Sequence, residues 1–271
     1  FPIPYDMQIS HLLSLVQRAV EELLSGAGVE SNRVLGLAVG GHGVTDYEKG
    51  IVLTSPHNPS WGKDLRLRDL VAEKLGGTFP VFVDNAIRYR TYAERSLGWL
   101  RHASDAFVIH CTEGLIAGVM VNGVIRRGPS NLAGAIGHMK LKPGDSVRCA
   151  CGGYGCFETL VIPSRLIHQA RAHMEHYPDS ELSNVDEQQL TVEHIFKSAD
   201  NGDALAQQIV DEAAYWFAVA CQNLALTLDP EIIVLQGIYA EPGQYFKDQL
   251  SSRYGTMSLI DAPFRTQIAY S

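Results

Sequence analysis

Three features are scarce in this sequence of 271 residues: basic charge, long apolar runs and the marks of a secretion signal. Lys and Arg number 22 against 30 Asp and Glu, and the net charge of -8 argues against a face that grips nucleic-acid phosphates. No run reaches the ~18 apolar residues that a membrane helix needs. The opening FPIPYDMQIS has neither the basic start nor the apolar core of a signal peptide. These absences predict a protein that does not hold DNA by itself and does not enter a membrane.

Cysteine is also sparse, and most of it lies in one place. Of the five cysteines, Cys149, Cys151 and Cys156 fall within eight residues, whereas Cys111 and Cys221 stand alone in apolar surroundings. An odd number without a secretory signal favours a reducing cytoplasm over a disulfide framework. The two lone cysteines are interpreted as buried, inert thiols.

The composition, 46% hydrophobic and 19% charged, indicates a folded chain with a sizeable core. Helix-like and strand-like periodicities alternate, which predicts an α/β fold with a mixed sheet. Helices are predicted over 9–26, 64–76, 86–98, 163–176, 191–199, 204–229 and near 241–254. Strands are predicted over 33–41, 50–55, 79–84, 105–112, 230–237 and 266–271, with a hairpin over 115–128 that turns at Asn122 and Gly123. Residues 177–190 are predicted to form a surface loop.

The cysteine cluster reads GHMKLKPGDSVRCACGGYGCFE and contains a complete set of zinc ligands. Three thiolates and one imidazole make a tetrahedral shell for Zn²⁺. The candidate ligands are His138, Cys149, Cys151 and Cys156. The glycines at 152, 153 and 155 would let the backbone turn sharply enough for the sulfurs to converge. Because the shell is saturated, the zinc is expected to be structural, and three reduced free cysteines are the alternative.

The segment GAIGH (134–138) and the following CACGGYGCFE resemble the zinc signature of the ROK family (repressors, open reading frames and kinases). The likeness extends over nearly the whole chain, through VFVDNAIRYRTYAERSLG, VNGVIRRGPSNLAGAIGH and DPEIIVLQG. It implies an actin-like (ribonuclease H-like) α/β fold of two lobes with sugar and nucleotide between them. Residues 1–104 would be a partial N-terminal lobe, and residues 105–271 a C-terminal lobe with the zinc site and oligomerisation helices. The opening strands of the first lobe and a DNA-binding winged helix have no counterpart, so the chain is expected to be part of a longer regulator.

The resemblance also shows which kinase parts are degraded. The Asp that takes the proton from the sugar hydroxyl should follow Asn85, where this chain has Ala86, and rescue by Asp84 is not expected. The first phosphate loop is missing, and the second reads TEGLI (112–116), whose glutamate would repel a triphosphate. The adenosine loop is reduced to QGI (236–238). These departures imply that the chain is not an enzyme.

The sugar pocket is less altered. The resemblance carries over three ligand contacts: Asn85, His138 and Glu158. Ala86 and Ala135 stand where two further carboxylates are expected, so a free hexose should bind weakly, since each lost hydrogen bond forfeits ~1–3 kcal/mol. An acidic or phosphorylated sugar would suit the loss of two carboxylates, and a pocket that binds nothing is the alternative. Arg88 or Arg90 would be available to an anionic ligand, although solvated side chains are the simpler interpretation.

The leading hypothesis is the effector-binding and oligomerisation domain of a ROK transcription regulator of the NagC and Mlc type, with structural zinc and no kinase activity. The expected partners are a sugar or sugar derivative, a second copy of the chain, and DNA only through a segment outside this chain. One alternative is an ATP-dependent sugar kinase, such as a glucokinase or N-acetylhexosamine kinase. The other is a catalytically dead pseudokinase scaffold.

Overall fold

The computed structural model describes residues 6–56, 58–256 and 264–271. These residues form two compact units. The smaller unit contains the residues up to Arg90 together with Gly128–Leu132, and the larger unit contains Thr91–Arg127 and the residues from Ala133 onwards.

The change from one unit to the other falls inside a helix, α3 (Ala86–Leu97). The reason is that α3 has two sets of partners. Arg88, in its first turns, has its hydrogen-bond partners in the smaller unit. Glu94, near its end, has its partners in the larger unit.

The smaller unit combines short strands with amphipathic helices. Its elements are α1 (Ile9–Ala27), β1 (Leu37–Gly41), β2 (Val44–Asp46), β3 (Ile51–Thr54), α2 (Leu67–Lys74), β4 (Val81–Asn85) and the first turns of α3. Strand β1 pairs in parallel with β4, and β2 pairs in antiparallel with β3. The core contains Leu12, Val52, Val71 and Val83, because the apolar positions of α1 and α2 lie against the buried side of the strands. Strand β2 was not predicted, since three residues carry too little pattern.

The end of α1 corrects one detail of the prediction. The helix does not end at Gly26 but continues to Ala27, and Gly28 is the residue that caps it. Gly28 adopts φ +60°, and its N–H donates to the carbonyls of Leu24 and Ser25. A left-handed conformation at this position is what favours glycine at helix ends. Gly26 therefore lies inside the helix, where glycine is unfavourable.

The larger unit contains a five-stranded mixed sheet in the order β7-β6-β5-β8-β9. The strands are β5 (Ala106–Cys111), β6 (Leu115–Val121), β7 (Val124–Ile125), β8 (Ile232–Gly237) and β9 (Gln267–Tyr270). Strands β5, β8 and β9 run parallel, and β6 and β7 complete an antiparallel meander. The predicted hairpin turn is confirmed, since Asn122 and Gly123 both have positive φ, at 52° and 68°.

Helices provide the rest of the larger unit and its core. They are α4 (Glu158–Val161), α5 (Pro163–His173), α6 (Val192–Asp200), α7 (Ala204–Leu228) and α8 (Gly243–Thr256). Helix α7 is central, as its apolar residues on several faces indicated. Phe217 of α7 packs on Phe157 with ring centroids 5.1 Å apart and on Tyr239 at 4.3 Å. Among the described residues, no helix has the length and apolarity needed to cross a bilayer.

The segment 177–190 is not simply a surface loop. Leu182 and Leu190 are buried, and Ser180 caps a short 3₁₀ helix over Glu181–Asn184. The two leucines insert into the same core as α6 and α7. Their spacing among polar residues matches no regular period, which explains why the sequence pattern missed them.

Candidate functional site

The four predicted zinc ligands meet at one place in the larger unit. The donor atoms of His138, Cys149, Cys151 and Cys156 all lie within 4.8 Å of one another. The sulfurs of Cys151 and Cys156 are 3.6 Å apart, and Cys149 Sγ is 3.5 Å from His138 Nδ1. With Zn–S near 2.3 Å and Zn–N near 2.0 Å, a tetrahedral site separates two sulfurs by about 3.8 Å and a sulfur and a nitrogen by about 3.5 Å. The donor set and its spacing therefore fit a tetrahedral zinc ion.

Tight turns bring these ligands together. Cys149 N donates to Gly153 O at 2.8 Å, and Gly152 N donates to Cys149 O at 2.9 Å. Gly152 and Gly155 have φ of +85° and +67°, and a Cβ at Gly155 would collide with the carbonyl of Lys142. These two glycines fulfil the predicted role, whereas Gly153 has no positive φ.

Lys140 supplies positive charge at the sulfurs. Its Nζ lies 2.7 Å from Cys156 Sγ and 3.9 Å from Cys151 Sγ, and the hydrogen bond to Cys156 raises the pKa of Lys140. The hydrogen bond from the backbone at Gly153 lowers the pKa of Cys151. Burial and a hydrogen bond to a carboxylate raise the pKa of Cys149. In a zinc complex the metal would hold all three sulfurs as thiolates, and the Lys140 ammonium would offset part of their charge.

Glu158 adjoins the same cluster, at the start of α4. Its Oε1 accepts a hydrogen bond from Cys149 Sγ at 2.8 Å and lies 3.6 Å from His138 Nδ1. Its Oε2 accepts from Leu115 N at 3.5 Å. Two of the three predicted ligand contacts, His138 and Glu158, are therefore neighbours.

Asn85, the third predicted contact, lies in the smaller unit at the end of β4. Its Oδ1 accepts from Ile87 N at 3.0 Å, and its Nδ2 donates to Gly43 O at 2.6 Å. The bond from Ile87 N satisfies a backbone donor in the first turn of α3, which is a helix-capping role. One lone pair of Oδ1 and one hydrogen of Nδ2 are left for another partner.

Arg88 is neither solvated nor available to a ligand, which corrects both expectations for it. Its side chain is 3% exposed. Its Nη1 donates to Asp84 Oδ1 at 2.5 Å and to Thr45 O at 3.3 Å, and its Nη2 donates to Asn131 O at 2.9 Å. The strand-to-helix turn at residue 85 brings Arg88 back towards the fully buried Asp84. Arg90 is exposed, as expected of a solvated arginine.

Hydrogen bonds within the larger unit engage two positions where the resemblance placed nucleotide loops. The turn after β5 is tight, with Thr112 N donating to Gly114 O at 2.9 Å. Gln236, at the end of β8, is buried, and its Nε2 donates to Glu94 Oε1 at 2.7 Å. Ser271 Oγ donates to the same oxygen at 2.6 Å.

A cavity of about 450 Å³ opens beside the metal cluster in the larger unit. Its wall contains the carboxylates of Glu113 and Glu158, and it also contains three cationic or polar groups that sequence reasoning missed. These are Arg148, Arg165 and His168. The Arg165 guanidinium has no hydrogen bond or ion pair among the described residues, and its Nε is buried. The sequence signal that could have indicated this cavity was the spacing of residues 165 and 168 on one face of α5, just after Glu158. Periodicity, however, does not distinguish a helix face that lines a cavity from one that faces solvent.

The buried thiols outside the cluster are confirmed. Cys111 and Cys221 are buried, and neither forms a disulfide. The three cysteines of the cluster also form no disulfide. Burial raises the pKa of Cys221 to about 12 and that of Cys111 well above its ordinary value. Neither thiol is prepared to act as a nucleophile.

Comparison with known proteins identifies the family. Residues 9–266 match the ROK family. A glucokinase of Halalkalibacterium halodurans is 29% identical over 243 residues, which cover 89% of this chain and 72% of the kinase. The xylose repressor of Caldicellulosiruptor bescii is 27% identical over 263 residues, 96% of this chain and 64% of the repressor.

The fold agrees with this family. The crystal structure of a ROK family transcriptional regulator, a homologue of the Escherichia coli MLC protein, has a TM-score of 0.83 at 26% identity and covers 96% of this chain. The chain spans 64% of that regulator and 64% of the xylose repressor, less than two thirds of either. Kinases and regulators are both among its relatives. The chain belongs to the ROK family and has the family's actin-like α/β fold.

Proposed function

We propose that the chain is the effector-binding domain of a ROK transcription regulator and transfers no phosphoryl group. The observation that carries the proposal is the absence of a free base at the strand-to-helix turn. Ala86 stands where the family resemblance implies the catalytic Asp, and Asp84 on the other side of Asn85 is buried in an ion pair with Arg88. A carboxylate held in this way is not available to take a proton from a sugar hydroxyl.

The nucleotide positions support the same proposal. Glu113 would place a negative charge in the loop that should cradle phosphates. Gln236, where an adenosine loop is expected, already donates a hydrogen bond from its side chain to Glu94. Nucleotide binding at these positions would therefore need substitutions at both Glu113 and Gln236.

The effector is a sugar or sugar derivative that carries an anionic group. Ala86 and Ala135 remove two negative charges from the family's sugar contacts. The cavity beside the metal cluster adds Arg148 and the unpaired Arg165. A phosphate or carboxylate gains charge-assisted hydrogen bonds from guanidinium groups, which are about twice as strong as neutral ones.

Asn85, His138 and Glu158 are the proposed ligand contacts. His138 directs Nδ1 towards Cys149, which leaves Nε2 for a ligand hydroxyl. Glu158 keeps acceptor capacity beyond its bonds to Cys149 and Leu115. Zinc at the four-ligand cluster would have a structural role and would hold His138 in a fixed orientation.

The proposal extends to the whole protein. DNA would be bound through a segment outside this chain, and a second copy of the chain would complete a homodimer or a higher oligomer. Five free cysteines suit a reducing cytoplasm. Effector binding would control DNA binding only if the effector has different affinities for two conformations of the regulator.

A sugar kinase is the second candidate, because the glucokinase relative is 29% identical and 72% covered. A thermal-shift panel separates the two. Free sugars, amino sugars, acidic sugars and sugar phosphates are each measured with and without Mg-ATP, since a ligand of the native state raises the melting temperature by mass action. An assay of ATP consumption uses the same sugars.

A shift with an anionic sugar, without any effect of ATP, supports the regulator. The shift should be lost in Asn85→Ala and Glu158→Gln and retained in Glu73→Gln, which changes an exposed carboxylate on α2. Turnover of ATP that Asn85→Ala abolishes would overturn the proposal in favour of the kinase. The absence of a shift with every sugar would favour the pseudokinase scaffold.

A further inference from the structure

A second cavity, of about 280 Å³, lies in the larger unit between α5 and α7. Helix α5 contributes Arg165, His168 and Gln169, one turn apart on a single face, and α7 contributes Gln208 and Glu212. Lys142 from the segment before the cysteines completes the wall. Neither the zinc cluster nor Glu158 contributes to it.

The charges in this wall do not cancel. Glu212 Oε1 lies 3.3 Å from Lys142 Nζ and accepts from Trp216 Nε1 at 3.4 Å, and Glu212 Oε2 accepts from Gln169 Nε2 at 2.5 Å. Burial alone would raise the pKa of Glu212, but the Lys142 charge and these hydrogen bonds outweigh burial and lower it. Glu212 is therefore ionised and is matched by Lys142, which leaves Arg165 as an uncompensated positive charge.

Two polar groups of the wall lack partners. Arg165 Nε and Gln169 Oε1 are buried and have no hydrogen-bond partner among the described residues. Gln169 as a whole is 9% exposed. Buried polar groups in folded proteins are nearly always hydrogen-bonded, so an unpaired cation beside an unpaired acceptor indicates that a partner molecule belongs there. The partner must offer negative charge to Arg165 and a hydroxyl donor to Gln169.

Size restricts the ligand further. Small-molecule sites usually measure ~300–1,000 Å³, and this cavity, at about 280 Å³, is slightly smaller than that range. A nucleotide is too large, whereas a short polyol phosphate or hydroxy acid fits. We propose that the α5–α7 cavity is a second binding site, which takes a small hydroxylated anion bearing a phosphate or a carboxylate.

The site is distinct from the proposed effector site but shares a wall with it. Arg165 and His168 line both cavities. One guanidinium cannot fully pair with two anions at once, so anions in the two cavities should weaken each other's binding. Arg148, in contrast, lines only the cavity beside the metal cluster, and Ala172 lines only the α5–α7 cavity. These two residues allow the sites to be tested separately.

The test is a titration with glycerol 3-phosphate, glycerate and neutral glycerol, followed by Trp fluorescence and by calorimetry. Trp216 reports on the cavity because its Nε1 is bonded to Glu212. Wild-type protein should respond saturably to one or both anions and not to glycerol. The response to phosphate or to carboxylate alone would identify which anion the site prefers.

Four variants decide the location. Ala172→Trp places a bulky side chain in the cavity from an exposed position on α5, and should abolish binding without loss of the fold. Arg165→Met should weaken binding at least about tenfold, the usual effect of losing a hydrogen bond to a charged group. Arg101→Met, at an exposed arginine that lines neither cavity, is the matched control and should leave the affinity unchanged. A loss of affinity in Arg148→Met would instead place the anion beside the metal cluster and overturn the proposal. Equal binding of glycerol, no saturable response, or undiminished binding by a folded Ala172→Trp variant would each overturn the proposal.

Discussion

Arg88 Nη1 donates to Asp84 Oδ1 at 2.5 Å, and both side chains are almost completely removed from solvent. Asp84 also accepts from the backbone N–H of Asn85 at 2.7 Å. This pair lies where β4 becomes α3, at the position from which a kinase of the family would direct its base. Asp84, the carboxylate that could have replaced the missing catalytic base, is therefore part of a buried ion pair in the smaller unit.

We predict that Arg88→Met destabilises the protein by about 3–5 kcal/mol, because it leaves the Asp84 charge buried and uncompensated. Urea unfolding measures the change. The double variant Asp84→Asn/Arg88→Met should regain part of the loss, since no isolated charge remains. The matched control is Arg66→Met, which removes the exposed pair of Arg66 with Asp69 and should change stability by only ~0–1 kcal/mol. Equal effects of the two arginine substitutions would contradict this interpretation.

We predict about one zinc ion per chain in purified protein, because four suitable donor atoms lie within 4.8 Å of one another. Cys151→Ser should lower the zinc content and the melting temperature together, since metal binding contributes directly to folding. Metal analysis and thermal melting measure the two effects. Cys221→Ala, at a buried thiol outside the cluster, should retain the zinc. Wild-type protein that contains no metal, together with a Cys151→Ser variant that melts at the same temperature as wild type, would contradict the metal site.

Two glycines at the end of α1, Gly26 inside the helix and Gly28 just after it, should respond to substitution in opposite directions. Gly26 lies inside the helix with open space around its Cα, so Gly26→Ala should stabilise by ~0.5–1 kcal/mol. Gly28 has φ +60°, so Gly28→Ala should destabilise by ~1 kcal/mol or more, because an L-residue is strained there. Chemical denaturation of the two variants is the measurement. The same sign for both would show that α1 ends differently in solution.

Glu212 should make stability depend on acid pH. Because its pKa is lowered in the folded protein, its contribution is present above the unfolded value near 4.5 and is lost as the pH falls through the folded value. Glu212→Gln should therefore cost about 1 kcal/mol at pH 7, and its difference from wild type should shrink below pH 4.5. The denaturation midpoints of the two proteins are compared at each pH, so that any acid-dependent loss of metal, which would affect both alike, does not enter the difference. A difference that stays constant down to pH 3 would show that the Glu212 charge is not involved.

Much of this protein was determined by local sequence. Alternating periodicities indicated the helices and strands, the Asn122–Gly123 pair determined the hairpin turn, and the Gly-rich cysteine segment indicated four candidate metal ligands. Each of these depends on a short-range rule: residue spacing along one element, or the backbone freedom of glycine. The motif around His138 and Cys149–Cys156 also resembled the family's zinc signature, and the match over residues 9–266 confirms the family.

Tertiary structure alone decided what the charged side chains do. Arginine is usually exposed, but Arg88 is buried, because the turn at residue 85 directs its side chain onto Asp84. Arg165 lies on a helix face that looks solvated in the sequence, but α7 and the cysteine segment enclose it beside unpaired polar groups. Asp84 is only four residues from Arg88, but the backbone oxygens of Thr45 and Asn131 that also bind Arg88 are 43 residues away in either direction. The α7 residues that enclose Arg165 are also distant in the chain. Contacts across such distances leave no period in the sequence.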